Sequence, residues 1–559
     1  MTENAGLTER LARLDPEQRA AATAPPGPIL CIAPAGSGKT STLVARIAWL
    51  LAGGVDAGRV TAVTFNRRAA EELAERLAAA LRGSGPAAEP AGAAELQSAA
   101  EPAGPAASSS IPVRVRTFHA LGLEILRDAG KPTGPLLDRD EVLREILPEF
   151  SASQRRRLDL IISRLKLDLR VDAAKVAADP EAGPSARAYV AYEQALQQAE
   201  GLDFDDLVAR AVLVLETDQD VLARWRARCD HLLVDEAQDL DRMQLRMALL
   251  LAAPANRIFL VGDDDQSIYG WRLADVRRLL GLAATSLPDL RRHDLATNYR
   301  CPGIVVERAV RLVSHNTERF AKTIRARRLA IGTLILAPSL PEPDPIETCT
   351  SLIRSWPDDD ATRAVLARTN RELIPAVAAC LALDVPFRAA GIELPVDSPH
   401  IDTLIAIARR LDRRAPLLTR LAQARQESGP AAEEVAGSLL AWAPAHETLE
   451  SLESAIATLR AHLARLRRDD APLTLATAHG TKGLEFDHVA VIGLDDGRFP
   501  SARSITEAED PLRALEEERR LAYVAWTRAR RSLTLSYDPA APSRFLHEAF
   551  DPEELAAAG

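Results

Sequence analysis

An apolar run, Ile29-Leu30-Cys31-Ile32, leads into Ala33-Pro34-Ala35-Gly36-Ser37-Gly38-Lys39-Thr40, and a helical pattern, Leu43-Val44-Ala45-Arg46-Ile47, follows at once. Strand, glycine-rich turn and helix in that order make a phosphate cradle. The glycines let backbone N–H groups wrap an anion, and the helix N-terminus points its dipole at it. Lys39 would reach the β- and γ-phosphates of a nucleotide, and Thr40 would hold Mg²⁺. The strict pattern has glycine where Ala33 stands. Pro34 removes one N–H from the loop, so one phosphate contact is expected to be missing.

A second peptide complements the first. Leu233-Val234-Asp235-Glu236-Ala237-Gln238-Asp239 reads as a strand ending in two carboxylates, at the strand end where ligands of parallel α/β sheets bind. Asp235 is suited to coordinating Mg²⁺, and Glu236 to orienting and deprotonating an attacking water. Asp-Glu after a strand is common as a solvated turn, and only the upstream Lys39-Thr40 raises it above that. Asp235 lies 196 residues after Lys39, too far for a minimal core, so a domain must be inserted between them.

Further β-branched runs, Val60–Thr64, Leu232–Val234 and Ile258–Val261, fit one buried parallel sheet. Ala364–Ala367, Leu473–Ala476, Val489–Ile492 and Leu533–Ser536 fit a second. Amphipathic stretches at about 119–202 and 392–470 predict an all-α insertion in each core. Gly83 to Ser110 is nearly all Ala, Pro, Gly, Ser and Glu and predicts a disordered surface loop.

The chain has 559 residues, enough for three or four domains, with 69 Lys and Arg against 79 Asp and Glu, a net charge of −10. That balance argues against a simple basic nucleic-acid-coating protein but permits a local basic track. Five scattered cysteines without a CxxC pair make a disulfide framework or zinc site unexpected. The N-terminus lacks a signal pattern and no apolar run is long enough to span a bilayer, so the cytoplasm is the expected compartment. Only six of the basic residues are lysines. Lys39 and Lys482 stand out among them because each sits in a glycine-flanked peptide.

A third peptide, Val261-Gly262-Asp263-Asp264-Asp265-Gln266-Ser267-Ile268-Tyr269-Gly270-Trp271-Arg272, follows a strand. Gln266 could sense the γ-phosphate. Tyr269 and Trp271, in a chain only 4% aromatic, suit base stacking, although an isolated Trp is more often core.

Together these peptides and several downstream ones resemble superfamily 1 helicases of the UvrD/Rep family. Asp15-Pro16-Glu17-Gln18 resembles the adenine-reading motif, with Gln18 as reader. Thr64-Phe65-Asn66-Arg67 and Arg116-Thr117-Phe118-His119 resemble the first strand-contacting motifs, and Asp203-Phe204-Asp205-Asp206 the return of the first insertion. Asn298-Tyr299-Arg300 resembles the motif whose Tyr stacks on adenine and whose Arg contacts the γ-phosphate. Ala478-His479-Gly480-Thr481-Lys482-Gly483-Leu484-Glu485 resembles the motif joining nucleotide to DNA, and Glu518 to Ala529 the final motif, with Arg528 as arginine finger.

The resemblance implies two RecA-like P-loop cores of α/β class: residues 1–118 and 203–297 around an insertion at 119–202, and 298–391 and 471–559 around one at 392–470. It implies ATP and Mg²⁺ as ligands, with Glu236, Lys39, Gln266, Arg300 and Arg528 catalytic. Gln18, residues 33–40, Tyr299 and Glu485 would bind nucleotide, and Thr40 and Asp235 the metal. Phe65, Phe118, His119, Tyr269, Trp271 and His479 would contact single-stranded DNA or a junction. Movement 3′ to 5′, in repair or replication, is implied with it. Arg300 and Arg528 are expected on the second core, facing Lys39 and Glu236 on the first. The second insertion is short for the family, which favours a translocase that strips bound proteins and unwinds little. A nucleotide-gated scaffold without hydrolysis is a third reading, opposed by intact Lys39, Glu236, Arg300 and Arg528. Arginine runs at 155–157 and 409–414 suit either duplex backbone or solvated helix faces.

Overall fold

The structure, a computed structural model, describes residues 9–81, 113–179, 181–327, 330–339, 344–357, 359–429 and 432–558. The loop expected at Gly83–Ser110 falls outside them. Contacts gather the chain into two units. The first runs to Gly332 and adds Ser504–Thr527, and the second holds Thr333–Arg503 and Arg528–Gly559.

The first unit is built on six parallel strands in the order β3-β2-β4-β5-β1-β6. They are β1 (Ile29–Ile32), β2 (Val60–Thr64), β3 (Arg114–Thr117), β4 (His231–Val234), β5 (Ile258–Gly262) and β6 (Arg291–Asp294). The four central strands are buried at every position, as continuous apolar strands are when helices cover both faces. Because the strands are parallel, the loops after β1, β4 and β5 emerge at one edge, the carboxyl end. A short parallel pair, β7 (Thr297–Asn298) and β8 (Arg325–Ala326), lies in the same unit.

Helix α1 (Pro16–Thr23) starts with a capping box. The Asp15 carboxylate accepts from the Gln18 N–H, and the Gln18 side chain accepts from the Asp15 N–H. Helix α2 (Lys39–Ala52) begins directly after Gly38. Between β3 and β4, helices Arg139–Ile146, Ala152–Ser163 and Pro184–Gln198 bury a small core of their own around Leu143, Leu158, Ile162, Tyr189, Tyr192 and Leu196. This insertion is tied to the returning chain by charge. Lys166 Nζ lies 2.7 Å from Glu193, 2.9 Å from Asp203 and 3.1 Å from Asp206. Arg139 pairs with Asp159, Asp203 and Asp205.

The boundary expected at Asn298 falls elsewhere. Residues 298–332, with α3 (Gly303–Val313), and α4 (Pro511–Trp526) belong to the first unit. The Asn298 amide donates to the Ala35 carbonyl (2.8 Å). Ala296 N and Arg325 both reach Glu17 (3.1 and 2.7 Å). Glu516 of α4 accepts from Thr317 and Glu318.

The second unit has six parallel strands ordered β11-β12-β10-β13-β14-β9: β9 (Thr333–Pro338), β10 (Arg363–Ala367), β11 (Phe387–Arg388), β12 (Leu473–Thr477), β13 (Phe486–Val491) and β14 (Ala529–Tyr537). Helices Pro399–Arg410, Leu417–Ser428, Glu433–Trp442 and Leu449–Leu466 lie between β11 and β12. Their apolar residues join the core of the sheet itself, unlike those of the first insertion. Among the described residues no helix is long and apolar enough to cross a membrane.

Candidate functional site

The phosphate loop leaves β1 with Ala33 N donating to the Gly262 carbonyl (2.8 Å) at the end of β5, and closes with Ser37 N donating to the Pro34 carbonyl (3.1 Å). Gly36 and Gly38 both hold left-handed backbone, at φ +66° and +81°, conformations that L side chains adopt at a cost. Neither position has room for a side chain. A Cβ on Gly36 would lie 2.7 Å from the Arg300 Cβ, and one on Gly38 would lie 2.5 Å from the Gln18 Nε2. Ser37 Oγ is buried without a hydrogen-bond partner. A cradle narrowed by backbone need, with an unsatisfied hydroxyl inside it, fits an anionic ligand. Gly36→Ala is therefore expected to destroy nucleotide binding. In titration with a fluorescent ATP analogue, affinity should fall at least about tenfold.

One wall of the loop carries the nucleotide-edge residues. Gln18 is buried (6% exposed) and its Nε2 donates to the Ser37 carbonyl (2.8 Å). Tyr299 N donates to the Gly36 carbonyl (2.8 Å), and the Tyr299 hydroxyl donates to Asp15 Oδ2 (2.6 Å). Burial, then the Asp15 carboxylate, pushes the phenol up to about 12. Arg300 N donates to Asn298 Oδ1 (2.9 Å), and Arg300 Nη1 to the Thr527 carbonyl (3.3 Å). Arg300 thus packs within the first unit, against the expectation that it belongs to the second core.

Lys39 and Glu236 meet. The Nζ lies 3.3 Å from Oε1 and 3.4 Å from Oε2. Glu236 occupies left-handed backbone, φ +52° and ψ +45°, a conformation costing about 1–3 kcal/mol for such a residue. It is held there by Gln238, a residue the sequence pattern does not single out. Gln238 Nε2 donates to Glu236 Oε2, and Gln238 Oε1 accepts from Asp263 N (2.9 Å). The strain aims the carboxylate along the carboxyl edge of the sheet, towards the phosphate loop. Asp235, at the end of β4, is pushed up to about 7 by burial and then by the Glu236 charge, with Lys39 pulling the other way. Two carboxyl groups, Asp235 and Glu236, thus share the single Lys39 ammonium. Thr40, in the first turn of α2, and Asp235 are hard oxygen donors, the type Mg²⁺ takes when a nucleotide supplies its remaining ligands. The donor set fits the metal.

Gln266 is buried, and its Nε2 donates to Asp263 Oδ2 (2.6 Å). The three aspartates before it are fully buried and share one lysine. Lys322 Nζ lies 3.0, 2.5 and 2.8 Å from Asp263, Asp264 and Asp265. Arg319 adds a two-pronged contact to Asp265 (2.9 and 2.7 Å), and Phe320 N donates to Asp264 (2.8 Å). Burial pushes Asp264 up to about 6. For Asp265, burial works upward but the Lys322 and Arg319 cations outweigh it and hold the carboxyl below its ordinary value.

The same loop ends in aromatics. Tyr269 stacks on Phe65 (centroids 5.1 Å apart, planes 10° apart), and Trp271 stands edge-on to Tyr269 at 6.2 Å. Trp271 is 48% exposed and is not core. His119 packs edge-on against Phe204, and burial, ahead of the nearby charges, lowers its pKa. Phe118 departs from expectation. At 2% exposure it lies in the apolar core with Leu30, Ile32 and Val63. It opens a helix with its ring inward, so it supports the sheet and cannot touch a strand.

The second unit carries the remaining candidates. His479 opens a short 3₁₀ turn after β12. Burial, then Arg368 and Lys482, lower it to about 3, so the ring is neutral at ordinary pH. Glu485 pairs with Arg530 (3.3 Å). Arg528 is buried, its Nη1 donating to the Leu484 carbonyl (3.0 Å).

Comparison with known proteins places the chain among helicases. The UvrD/REP helicase N-terminal domain model matches residues 14–285, and the UvrD-like helicase C-terminal domain model matches residues 436–539. DNA helicase II of Escherichia coli (strain K12) is 27% identical, over 97% of this chain and 88% of that protein. The ATP-dependent DNA helicase Rep of the same strain is 27% identical over 94% and 90%. The ATP-dependent DNA helicase PcrA of Staphylococcus aureus (strain Mu50 / ATCC 700699) is 25% identical over 98% and 87%. The similarity runs from the helix that carries Gln18, through the phosphate loop and the acidic strand, into the strand that follows Arg528. The chain belongs to the UvrD/Rep family of helicases.

Proposed function

We propose that this protein is an ATP-dependent DNA helicase that moves on single-stranded DNA, 3′ to 5′. The observation that carries this reading is the Lys39–Glu236 contact at the phosphate loop, in a chain that matches helicase models in both its halves. Gly36, Gly38 and Lys39 bind the phosphates. Glu236, aimed by its strained backbone and by Gln238, orients the attacking water and takes its proton. Lys39, Arg300 and, by resemblance, Arg528 bind the charge of the transferring phosphoryl group. Thr40 and Asp235 would hold Mg²⁺, which when bound neutralises phosphate charge.

Hydrolysis and strand binding share one loop. Tyr269 and Trp271 lie three and five residues beyond Gln266, which is hydrogen-bonded to Asp263. A shift at Gln266 on loss of the γ-phosphate is therefore transmitted over a few residues to the rings that stack on bases. Trp271→Ala is expected to weaken single-stranded DNA binding by about 1–3 kcal/mol, read by fluorescence anisotropy, with ATP turnover in the absence of DNA left intact.

A second reading, a translocase that displaces bound proteins and unwinds little, draws on the second insertion. The alignment with DNA helicase II of Escherichia coli runs over 665 residues, more than the 559 of this chain, so that relative carries stretches with no counterpart here. The helices at 399–466 also share the core of their sheet and form no separate body. Strand displacement on 3′-tailed and 5′-tailed duplexes decides between the readings. Release from the 3′-tailed substrate alone supports the helicase, and ATP turnover without release supports the translocase.

A further inference from the structure

Asp15 touches both Gln18 and Tyr299. Its Oδ1 accepts from the Gln18 backbone N–H (2.7 Å) and caps α1. Its Oδ2 accepts from the Tyr299 hydroxyl (2.6 Å). Its own N–H donates to Gln18 Oε1 (3.1 Å). Glu17, two residues on, holds Ala296 N and Arg325, so the segment that carries Tyr299 is fixed against α1 by two carboxylates.

These contacts settle which way the Gln18 amide faces. Oε1 meets a donor, the Asp15 N–H, and Nε2 meets an acceptor, the Ser37 carbonyl (2.8 Å). Flipping the amide would set donor against donor and acceptor against acceptor. An amide oxygen has two lone pairs and an amide nitrogen two hydrogens, so one of each remains unused. A free acceptor beside a free donor matches the N6–H and N7 of adenine. Guanine presents O6 and N7, two acceptors, and would place O6 against Oε1.

We propose that Asp15 is a specificity-determining positioning residue: it sets the adenine-reading face of Gln18 through the helix cap and holds the Tyr299 ring in place through the hydroxyl. This rests on the reading of the site as an ATP site. The two contacts make separable contributions. The cap governs the choice of base, because it fixes where Gln18 starts. The tie to Tyr299 governs affinity for either purine, because an aromatic face stacks on both.

The test compares DNA-stimulated phosphate release from ATP and from GTP by the full chain and by Asp15→Ala, Asp15→Ser and Tyr299→Phe. Thermal unfolding of each variant reports folding. Serine keeps an N-cap oxygen but is too short to reach Tyr299. Asp15→Ala should lower the ATP-to-GTP ratio of kcat/KM by about tenfold. Asp15→Ser and Tyr299→Phe should keep the ratio and raise both KM values by similar factors, with kcat little changed. An unchanged ratio in Asp15→Ala, or a ratio lost equally in Asp15→Ser, would overturn the proposal. If Asp15→Ala does not fold, the serine and phenylalanine variants decide: KM values equal to those of the unaltered chain overturn it. Failure of the unaltered chain to hydrolyse either nucleotide would remove the ATP reading itself, and this proposal with it.

Discussion

Glu236→Gln should cut ATP turnover in the presence of single-stranded DNA by about 10²–10⁴-fold, the range a positioned general base contributes. Glutamine keeps the size and hydrogen-bonding reach of the side chain but cannot take a proton. The backbone at φ +52° and the Gln238 contact act on its position and not its charge, so the site should keep its shape. Lys39 loses its partner at 3.3 Å and becomes more available to phosphate. Nucleotide affinity should therefore hold or rise while turnover collapses. Steady-state phosphate release at saturating ATP, paired with binding of a fluorescent analogue, separates the two. A rate within about threefold of the unaltered chain would show that Glu236 is not the base.

Lys322→Met should destabilise the first unit by about 3–5 kcal/mol, the cost of breaking a buried ion cluster from one side. Three carboxylates at zero exposure would be left with neutral donors and one paired cation, Arg319, on Asp265. Denaturant unfolding measures the loss. Its pH dependence has a definite sign. Asp264 is already pushed up to about 6. A carboxyl whose folded value is raised contributes stability below its unfolded value and loses it as pH climbs through the folded one. Without Lys322 the Asp264 carboxyl rises further, so the deficit of the variant should be largest near pH 8 and should shrink towards pH 5. A deficit independent of pH would mean that methionine disturbs packing and not charge. Arg409→Ala is the matched control. Its pair with Glu453 is largely exposed on the arginine side, and such pairs contribute little.

The central strands were legible because burial on both faces demands apolar or β-branched runs, and Ile29–Ile32, Val60–Thr64 and Ile258–Val261 have them. The edges were not. Arg-Val-Arg-Thr in β3 and Arg-Arg-His-Asp in β6 pair on one side only and carry no such pattern. Residues 298–332 could not be assigned to the first unit from sequence, because the ties that hold them, Asn298 to Ala35 and Lys322 to the three aspartates, join side chains far apart in the chain. Phe118 misled for a related reason. The motif marks the peptide, but which side of a helix start faces the sheet is a tertiary outcome.

One signal was present and only half used. Of six lysines, Lys39 and Lys482 sit in motif peptides, while Lys166 and Lys322 each hold three carboxylates. In a chain that otherwise uses arginine, lysine persists where a compact ammonium must sit among several oxygens, a geometry the planar guanidinium fills poorly. Gln238 and Asp15 carried no comparable mark, since their roles lie in partners that only the folded chain brings together.

The central claim is that this site hydrolyses ATP and that a DNA strand drives it. Phosphate release from ATP, measured with the full chain in Mg²⁺ with no nucleic acid, with single-stranded DNA, with blunt duplex DNA and with single-stranded RNA, tests it most directly. The account predicts slow release alone and strong stimulation by single-stranded DNA above the other three conditions. Release that is absent, or that is the same with and without single-stranded DNA, would contradict it.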